Sequence, residues 1–537
     1  MRSHTVRALR NLARFPRAYP IECRSAQYGI RWSSSSPSTG RQWSTPLAKS
    51  LAQVITTTGP VSVAAYMRQC LTSPDGGYYT RQTAGHDQFG AKGDFITSPE
   101  ISQVFGELIG IWLYAEWLAQ GRKSKGIQII EVGPGRGTLM DDVLRTLSNF
   151  KHFASSVESI YLIEASPHLR TQQAKLLSDT TDLKETDLGW TAPCKYLPDC
   201  NIVWCEDIRF IPKDETKSPF ILAHEFFDAL PIHIFQNVAS SSIPASSTIM
   251  TPTGPIKPKT GPQAPANQWH ELVVSPVSPY EPSSTSTTTT SDSTNSSPQK
   301  EEVDFHLTIS KSPTPHSLYL PQTSPRYKAL SKTPDAIIEI SPESLAYITD
   351  FATRIGGSEP TPTPSASPSP SPDQTTPNTT PVSTPTPSFQ KPTPSGAALI
   401  LDYGPATTIP ANTLRGIRSH RPVSPFTSPG LVDISADVDF LALAESALAA
   451  SPGVEVHGPV EQAFFLGTMG IAERVERLVQ GREGDEELVR RVRGAWKRLV
   501  DRGPTGMGRI YKVMAIVPYG GEGKVRRPVG FGGDVVG

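Results

Sequence analysis

The chain has no apolar run long enough to serve as a secretory signal or a membrane-spanning helix. It also has no net charge, with 51 basic residues against 51 acidic ones. Cysteine is scarce: Cys23, Cys70, Cys194, Cys200 and Cys205 follow no zinc or redox spacing. Reduced structural thiols are therefore expected, and no metal site. The close group at 194 to 205 contains no CxxC and has no histidine beside it.

The charge balance hides an asymmetry. The first 46 residues hold eight arginines and one acid, Glu22, leaving 43 basic and 50 acidic residues after them. Arg7, Arg10, Arg14 and Arg17 recur at helical spacing with Val6, Leu9, Leu12 and Phe15 between them. That is the basic amphipathic pattern of a mitochondrial presequence, the alternative being a basic disordered tail. The acidic remainder argues against nucleic acid as a partner and suits a basic peptide.

Proline is abundant, at 52 residues, and concentrates with serine and threonine in two tracts, about 239 to 298 and 358 to 395. Such composition buries too little apolar surface to offset chain entropy, so disorder is expected, with a candidate strand at Trp269 to Val274. A helix pattern from Ser344 to Ile355 precedes the second tract and a buried strand pattern, GAALILD, follows it. The tract therefore reads as a loop out of one domain. The expected organisation is a presequence over 1–46 and a helical segment over 47–122. A first core part over 123–238 and a mostly disordered insertion with possible short strands over 239–334 follow. Then come a core helix region over 335–357, a proline-rich insertion over 358–395, a second core part over 396–518 and a disordered tail over 519–537.

The informative stretch is Ile127 to Leu139, IQIIEVGPGRGTL. An apolar strand ends at Glu131 and runs into Gly133, Gly135 and Gly137 ahead of a helix pattern. Glycine permits positive φ and close approach of the backbone to a ligand, and a helix end offers unpaired N–H groups. Strand patterns recur at Ser159 to Ile163, ending in Glu164, at Asn201 to Cys205, ending in Glu206 and Asp207, and at Phe220 to Ala223. With helix patterns between them they predict an α/β fold with a parallel sheet, its ligand beyond the carboxyl ends of the strands. Further helix patterns span Asp437 to Ala450, Glu461 to Leu478 and Asp485 to Asp501, and a strand pattern spans Ile510 to Val517. Upstream, Thr97, Ser98, Pro99 and Glu100 predict a helix start ahead of the stripe Ile101, Val104, Phe105, Leu108, Ile109, Trp112 and Leu113.

A dinucleotide site calls for GxGxxG with an acid about 20 residues on. Here the spacing is GxGxG, and Glu164 lies 27 residues beyond Gly137. S-adenosyl-L-methionine fits better. Glu131 would order the glycine loop near its amino-acid end, Glu164 would accept from the ribose hydroxyls, and Asp207 or Glu206 would face the adenine. A glycine turn kept for packing is the alternative. The motif HEFFDALP places Glu225 and Asp228 where the acceptor would arrive. For a guanidinium acceptor, Glu225 is the candidate bidentate partner. The alternative for Asp228 is a turn cap, His224 is either a base or a satisfied strand-end histidine, and Asp402 is expected to order a loop.

Taken as a set, seven segments resemble the MidA-type mitochondrial complex I assembly factors. They are GDFITSPEISQVFGELIG (93–110), EVGPGRGTLMDDVLR (131–145), IEASPHLRTQQ (163–173), AHEFFDALP (223–231), ALILDYG (398–404), PGLVDISADVDF (429–440) and MGRIYKVMAI (507–516). The resemblance implies a class I S-adenosylmethionine-dependent methyltransferase of Rossmann-like fold. It further implies a protein arginine methyltransferase of the mitochondrial matrix that makes symmetric dimethylarginine on a 49 kDa-type core subunit of NADH:ubiquinone oxidoreductase. The alternative is a non-catalytic assembly chaperone on the same fold. The two proline-rich tracts are not part of the family pattern.

Overall fold

A computed structural model describes residues 42–81, 97–239, 249–251, 254–256, 267–277, 303–358, 389–481, 484–521 and 526–532. The expected presequence helix, most of the first proline-rich tract, and 359–388 of the second lie outside the described residues. Trp43 to Pro46, assigned to the presequence from sequence, already belong to the folded part: Thr45 caps helix α1 (Pro46–Thr58) and Trp43 stacks on Phe305 at 5.9 Å.

The 47–122 segment is helical but serves two bodies of structure. Helix α1 and helix α2 (Val63–Thr72) pack on a second sheet, whereas α3 (Gln103–Ala119) packs on the main one. The start expected at Thr97 is present as a capping box with Glu100. It opens only the turn Ser98–Ile101, because Ser102 is extended at φ −156° and its hydroxyl recaps α3 through the Val104 N–H. Ile101 is consequently only half-buried, packed at the edge of the stripe, which runs from Val104 to Leu113 as expected.

The main sheet has nine strands: β1 (Ile127–Val132), β2 (Val157–Ile163), β3 (Lys184–Thr186), β4 (Gly189–Pro193), β5 (Asn201–Cys205), β6 (Ser218–His224), β7 (Ala397–Tyr403), β8 (Val454–Glu461) and β9 (Tyr511–Pro518). Their spatial order is β8-β9-β7-β6-β1-β2-β5-β4-β3. The five central strands, β7-β6-β1-β2-β5, are parallel and the flanking ones antiparallel. Both faces are covered, which is why the central strands read as continuous apolar runs. Alternate residues serve the two faces: Ile129, Leu222 and Leu399 face α3 and α4 (Thr138–Leu147). Ile130, Ile221 and Ile400 face α6 (Pro342–Gly356) and α7 (Phe440–Ala450), while α5 (Pro167–Ser178) crosses from β2 toward β5. The chain winds outward in both directions from β1 and β6, so a crevice opens at their carboxyl ends.

The chain between β6 and α6 contributes His233–Ala239, Asn267–Pro276, Phe305–Ile309 and Ile337–Ile340 to a second, antiparallel five-stranded sheet, which Val61–Ser62, from ahead of β1, completes. Within the insertion expected over 239–334, the strand expected at Trp269 to Val274 is present as part of Asn267–Pro276. The described parts, 267–277 and 303–334, are ordered strand and short helix, with Phe305, Leu320 and Tyr327 buried. Outside Trp269 to Val274 their apolar residues are interspersed with serine, threonine and proline, so composition concealed them.

Three further readings change toward the C-terminus. Val454–Glu461 is a strand, and the helix expected over 461–478 is divided by Gly470 (φ +79°) into Gln462–Thr468 and Ile471–Val479. A three-stranded sheet, Arg415–Arg418, Arg421–Val423 and Asp433–Ser435, lies between β7 and α7. The tail expected to be disordered is partly anchored. Arg526 forms a bidentate pair with buried Glu116 at 2.9 and 2.6 Å, and Trp112 donates to the Val529 carbonyl at 3.0 Å. Among the described residues no helix is long and apolar enough to cross a membrane.

Candidate active site

β1 delivers the chain into the glycine turn at the crevice. Gly133, Gly135 and Gly137 take φ of +65°, +53° and +86°, values that cost L residues with a Cβ about 1–2 kcal/mol each. At Gly133 space is a second constraint, since a Cβ would lie 2.7 Å from Phe226 Cδ2. The turn is tied down from α5: Gln173 Nε2 donates to the Gly135 carbonyl at 2.6 Å and to Glu164 at 3.2 Å, and Gln173 Oε1 accepts from Trp204 at 2.9 Å.

The acids expected at the strand ends separate into distinct environments. Glu131 is 2 % exposed, its Oε2 meets no donor among the described residues, and burial pushes its carboxyl up to about 8. Glu164 accepts from the Ser166 N–H at 2.8 Å and from Gln173. Burial still lifts it to about 7 against those bonds. Glu206 is half exposed and faces Arg170 at 3.4 Å, whose guanidinium lies 3.7 Å over the Trp190 ring. Asp207 does not reach the cavity. It caps the turn Ile208–Phe210 and pairs with Arg209 at 2.9 and 2.6 Å, which holds its carboxyl below the usual range. Of the two acids left open for the adenine end, Glu206 is the one at the cavity wall.

The opposite wall is the segment after β6. Glu225 adopts φ +48°, an uncommon backbone for glutamate. Its Oε1 has no hydrogen-bond partner among the described residues. Burial and then Asp228 raise its carboxyl to about 8, opposed by the Tyr511 hydroxyl and the Ser98 amide. Asp228 accepts the Tyr403 hydroxyl, leaves Oδ1 unpartnered among the described residues, and is raised by burial. It is not an ordinary surface cap. His224 is pushed down to about 3 by burial and packs edge-on against Phe105 at 5.2 Å, so it is neutral near pH 7. Asp402 orders the loop as expected: its Oδ2 accepts the amides of Phe226 and Phe227 at 3.1 and 2.9 Å.

These walls enclose one cavity of about 740 Å³. Glu131, Gly133, Gly135, Glu164, Glu206, His224, Glu225 and Asp228 all line it; Gly137 and Asp207 do not. Sequence reasoning missed Glu100, Tyr403, Asp433 and Tyr511, which complete the lining. Tyr403 and Tyr511 meet edge-to-face at 5.4 Å across the antiparallel β7–β9 pair. The segments ALILDYG and MGRIYKVMAI contain both tyrosines, but nothing in spacing shows that they face one another. Tyr79 donates to Asp433 at 2.9 Å and brings the α2 region against the small sheet. The described lining is strongly acidic: Glu100 and Asp433 join the five expected acids, with Arg136 paired to Glu100 at 3.2 Å.

A buried Glu131 oxygen with no donor among the described residues and a cradle at Gly133 that a Cβ would fill fit a ligand with a cationic head and a close-lying chain. The description "Putative S-adenosyl-L-methionine-dependent methyltransferase" belongs to the family model that matches residues 108–460. The chain is 32 % identical over 478 residues to the mitochondrial protein arginine methyltransferase NDUFAF7 of Rattus norvegicus, covering 88 % of this chain and 85 % of that protein. It is 33 % identical over 442 residues to NDUFAF7 of Danio rerio, covering 81 % and 79 %. A crystal structure of a Burkholderia thailandensis protein bound to S-adenosyl-homocysteine shares the fold, with a TM-score of 0.55, 19 % identity, and 88 % and 91 % coverage. The chain therefore belongs to the S-adenosyl-L-methionine-dependent methyltransferase family that includes the NDUFAF7 proteins.

Proposed function

We propose that the protein is a mitochondrial-matrix arginine N-methyltransferase of type II, making symmetric dimethylarginine on a 49 kDa-type core subunit of complex I during assembly. The names of its relatives, the basic leader and the acidic cavity support this reading. The observation that carries it is the buried pair Glu225 and Asp228, each with an oxygen that accepts no hydrogen bond among the described residues, in the same cavity as the glycine turn.

When bound, S-adenosyl-L-methionine supplies an electrophilic methyl group on a sulfonium. In this reading Glu131 receives the cationic amino-acid end, Glu164 accepts from the ribose hydroxyls, and Glu206 stands at the adenine end. The backbone at Gly133 and Gly135 lets the cofactor lie close. In-line transfer needs alignment more than acid–base help. Glu225 clamps the guanidinium and sets its plane. With the cofactor bound, the new N–C bond would use the nitrogen lone pair as the S–CH3 bond breaks and its electron pair stays on sulfur, and Asp228 would take the N–H proton displaced there. His224, neutral and buried, packs the wall and is given no proton-transfer role.

The test is methyl transfer from labelled cofactor into a mitochondrial extract of a deletion strain, comparing wild type with Glu225→Ala, and mass spectrometry of the subunit. Loss of dimethylarginine in the deletion strain is expected. Its persistence would sink the substrate assignment. Label in a metabolite alone would indicate a small-molecule methyltransferase, and no label with wild type would indicate a chaperone.

A further inference from the structure

Three donors distant in sequence converge outside the methyl-transfer cavity. His233 opens the strand His233–Ala239, Glu271 lies on the adjacent strand Asn267–Pro276, and His316 lies on the short helix Pro315–Tyr319. Their ligating atoms all lie within 4.8 Å of one another. Glu271 Oε1 is 2.6 Å from His233 Nδ1, Glu271 Oε2 is 3.9 Å from His316 Nδ1, and the two imidazole rings are 4.2 Å apart. The Thr314 hydroxyl donates to Glu271 Oε2 at 2.5 Å and orients the carboxylate.

We propose that His233, Glu271 and His316 form a divalent transition-metal site of the zinc type that pins the helix Pro315–Tyr319 to the second sheet. Two imidazoles and one carboxylate are a zinc donor set. Bonds of about 2.0–2.2 Å in a tetrahedron place donor atoms about 3.3 Å apart. The observed separations bracket that value, and a small rotation of His316 closes the longer ones. The His316 side chain is 54 % exposed whereas those of His233 and Glu271 are 8 % and 2 % exposed. The site thus has two fixed ligands, one adjustable ligand and a fourth position open to water. Ligation through His233 Nδ1 requires the Nε2–H tautomer, so a proton on Nδ1 moves to Nε2 or to solvent. Without a metal, the single carboxylate bonds His233 directly and leaves His316 at 3.9 Å from its second oxygen, with the two rings tilted by 36°.

The full chain, stripped with chelator, is titrated with zinc by calorimetry and with cobalt by visible absorption, alongside His316→Ala and Glu271→Gln. One equivalent of zinc and a cobalt d–d band are expected for wild type. Affinity should fall at least about tenfold in each variant, the scale seen when even an orienting partner is removed. His316→Ala changes an exposed side chain, so it keeps the test valid should Glu271→Gln fail to fold. Failure of wild type to bind zinc, or equal binding by wild type and His316→Ala, overturns the proposal.

Discussion

Gln173 joins the glycine turn to the strand-end carboxylate: one side-chain amide nitrogen donates to Gly135 at 2.6 Å and to Glu164 at 3.2 Å. Replacing it with alanine leaves the buried Trp204 N–H without its acceptor and frees the turn. Gln173→Ala should lower stability by about 1–3 kcal/mol and weaken S-adenosylmethionine binding by about tenfold or more. Calorimetry and denaturant melts check both.

Gly133 combines positive φ with contact to Phe226. Gly133→Ala should cost about 1–2 kcal/mol in backbone strain alone and displace Phe226. Loss of cofactor binding in a folded variant is expected from calorimetry. Full affinity would remove the turn from the site.

Glu225, with its carboxyl raised to about 8, is mostly neutral at pH 7 in the free enzyme. A guanidinium clamp needs the carboxylate. The kcat/KM for the protein substrate should therefore rise as pH passes through about 8, and Glu225→Gln should be slow and lack that rise.

Glu131 is raised by burial from 4.5 to about 8. Because the folded value lies above the unfolded one, its contribution is fully present below about pH 4.5 and is lost as pH rises through about 8. Without cofactor, Glu131→Gln should therefore flatten the fall in melting temperature over that window. Added S-adenosylmethionine should raise the wild-type melting temperature more than that of the variant.

Arg526 covers Glu116, whose side chain is 1 % exposed. Removing one partner of a buried pair costs about 3–5 kcal/mol, discounted here because a third of the arginine side chain is exposed. Arg526→Ala should lower stability by about 2 kcal/mol, read from chemical denaturation, while leaving cofactor affinity unchanged.

The parallel strands were legible because their two-sided burial writes near-continuous apolar runs such as FILA and AALIL into the chain. The glycine turn was legible because only glycine accepts those φ values at no cost. Of the second sheet only the strand at Trp269 to Val274 was legible; its other strands are separated by proline-rich segments, and their pairing partners lie far apart in sequence. Asp207 illustrates a different limit. Position at a strand end was right, but a local bond to Arg209, two residues on, turns the carboxylate away from the cavity.

Sequence alone determined the α/β class, the glycine turn and the acids at the strand ends, because these follow from period, φ and local register. Only the tertiary structure decided that Tyr403, Tyr511, Asp433 and Glu100 close around Glu225 and Asp228. Those contacts join residues up to several hundred positions apart, and no local pattern records which distant side chain fills a pocket. The same holds for His233, Glu271 and His316, which meet only when the second sheet is folded.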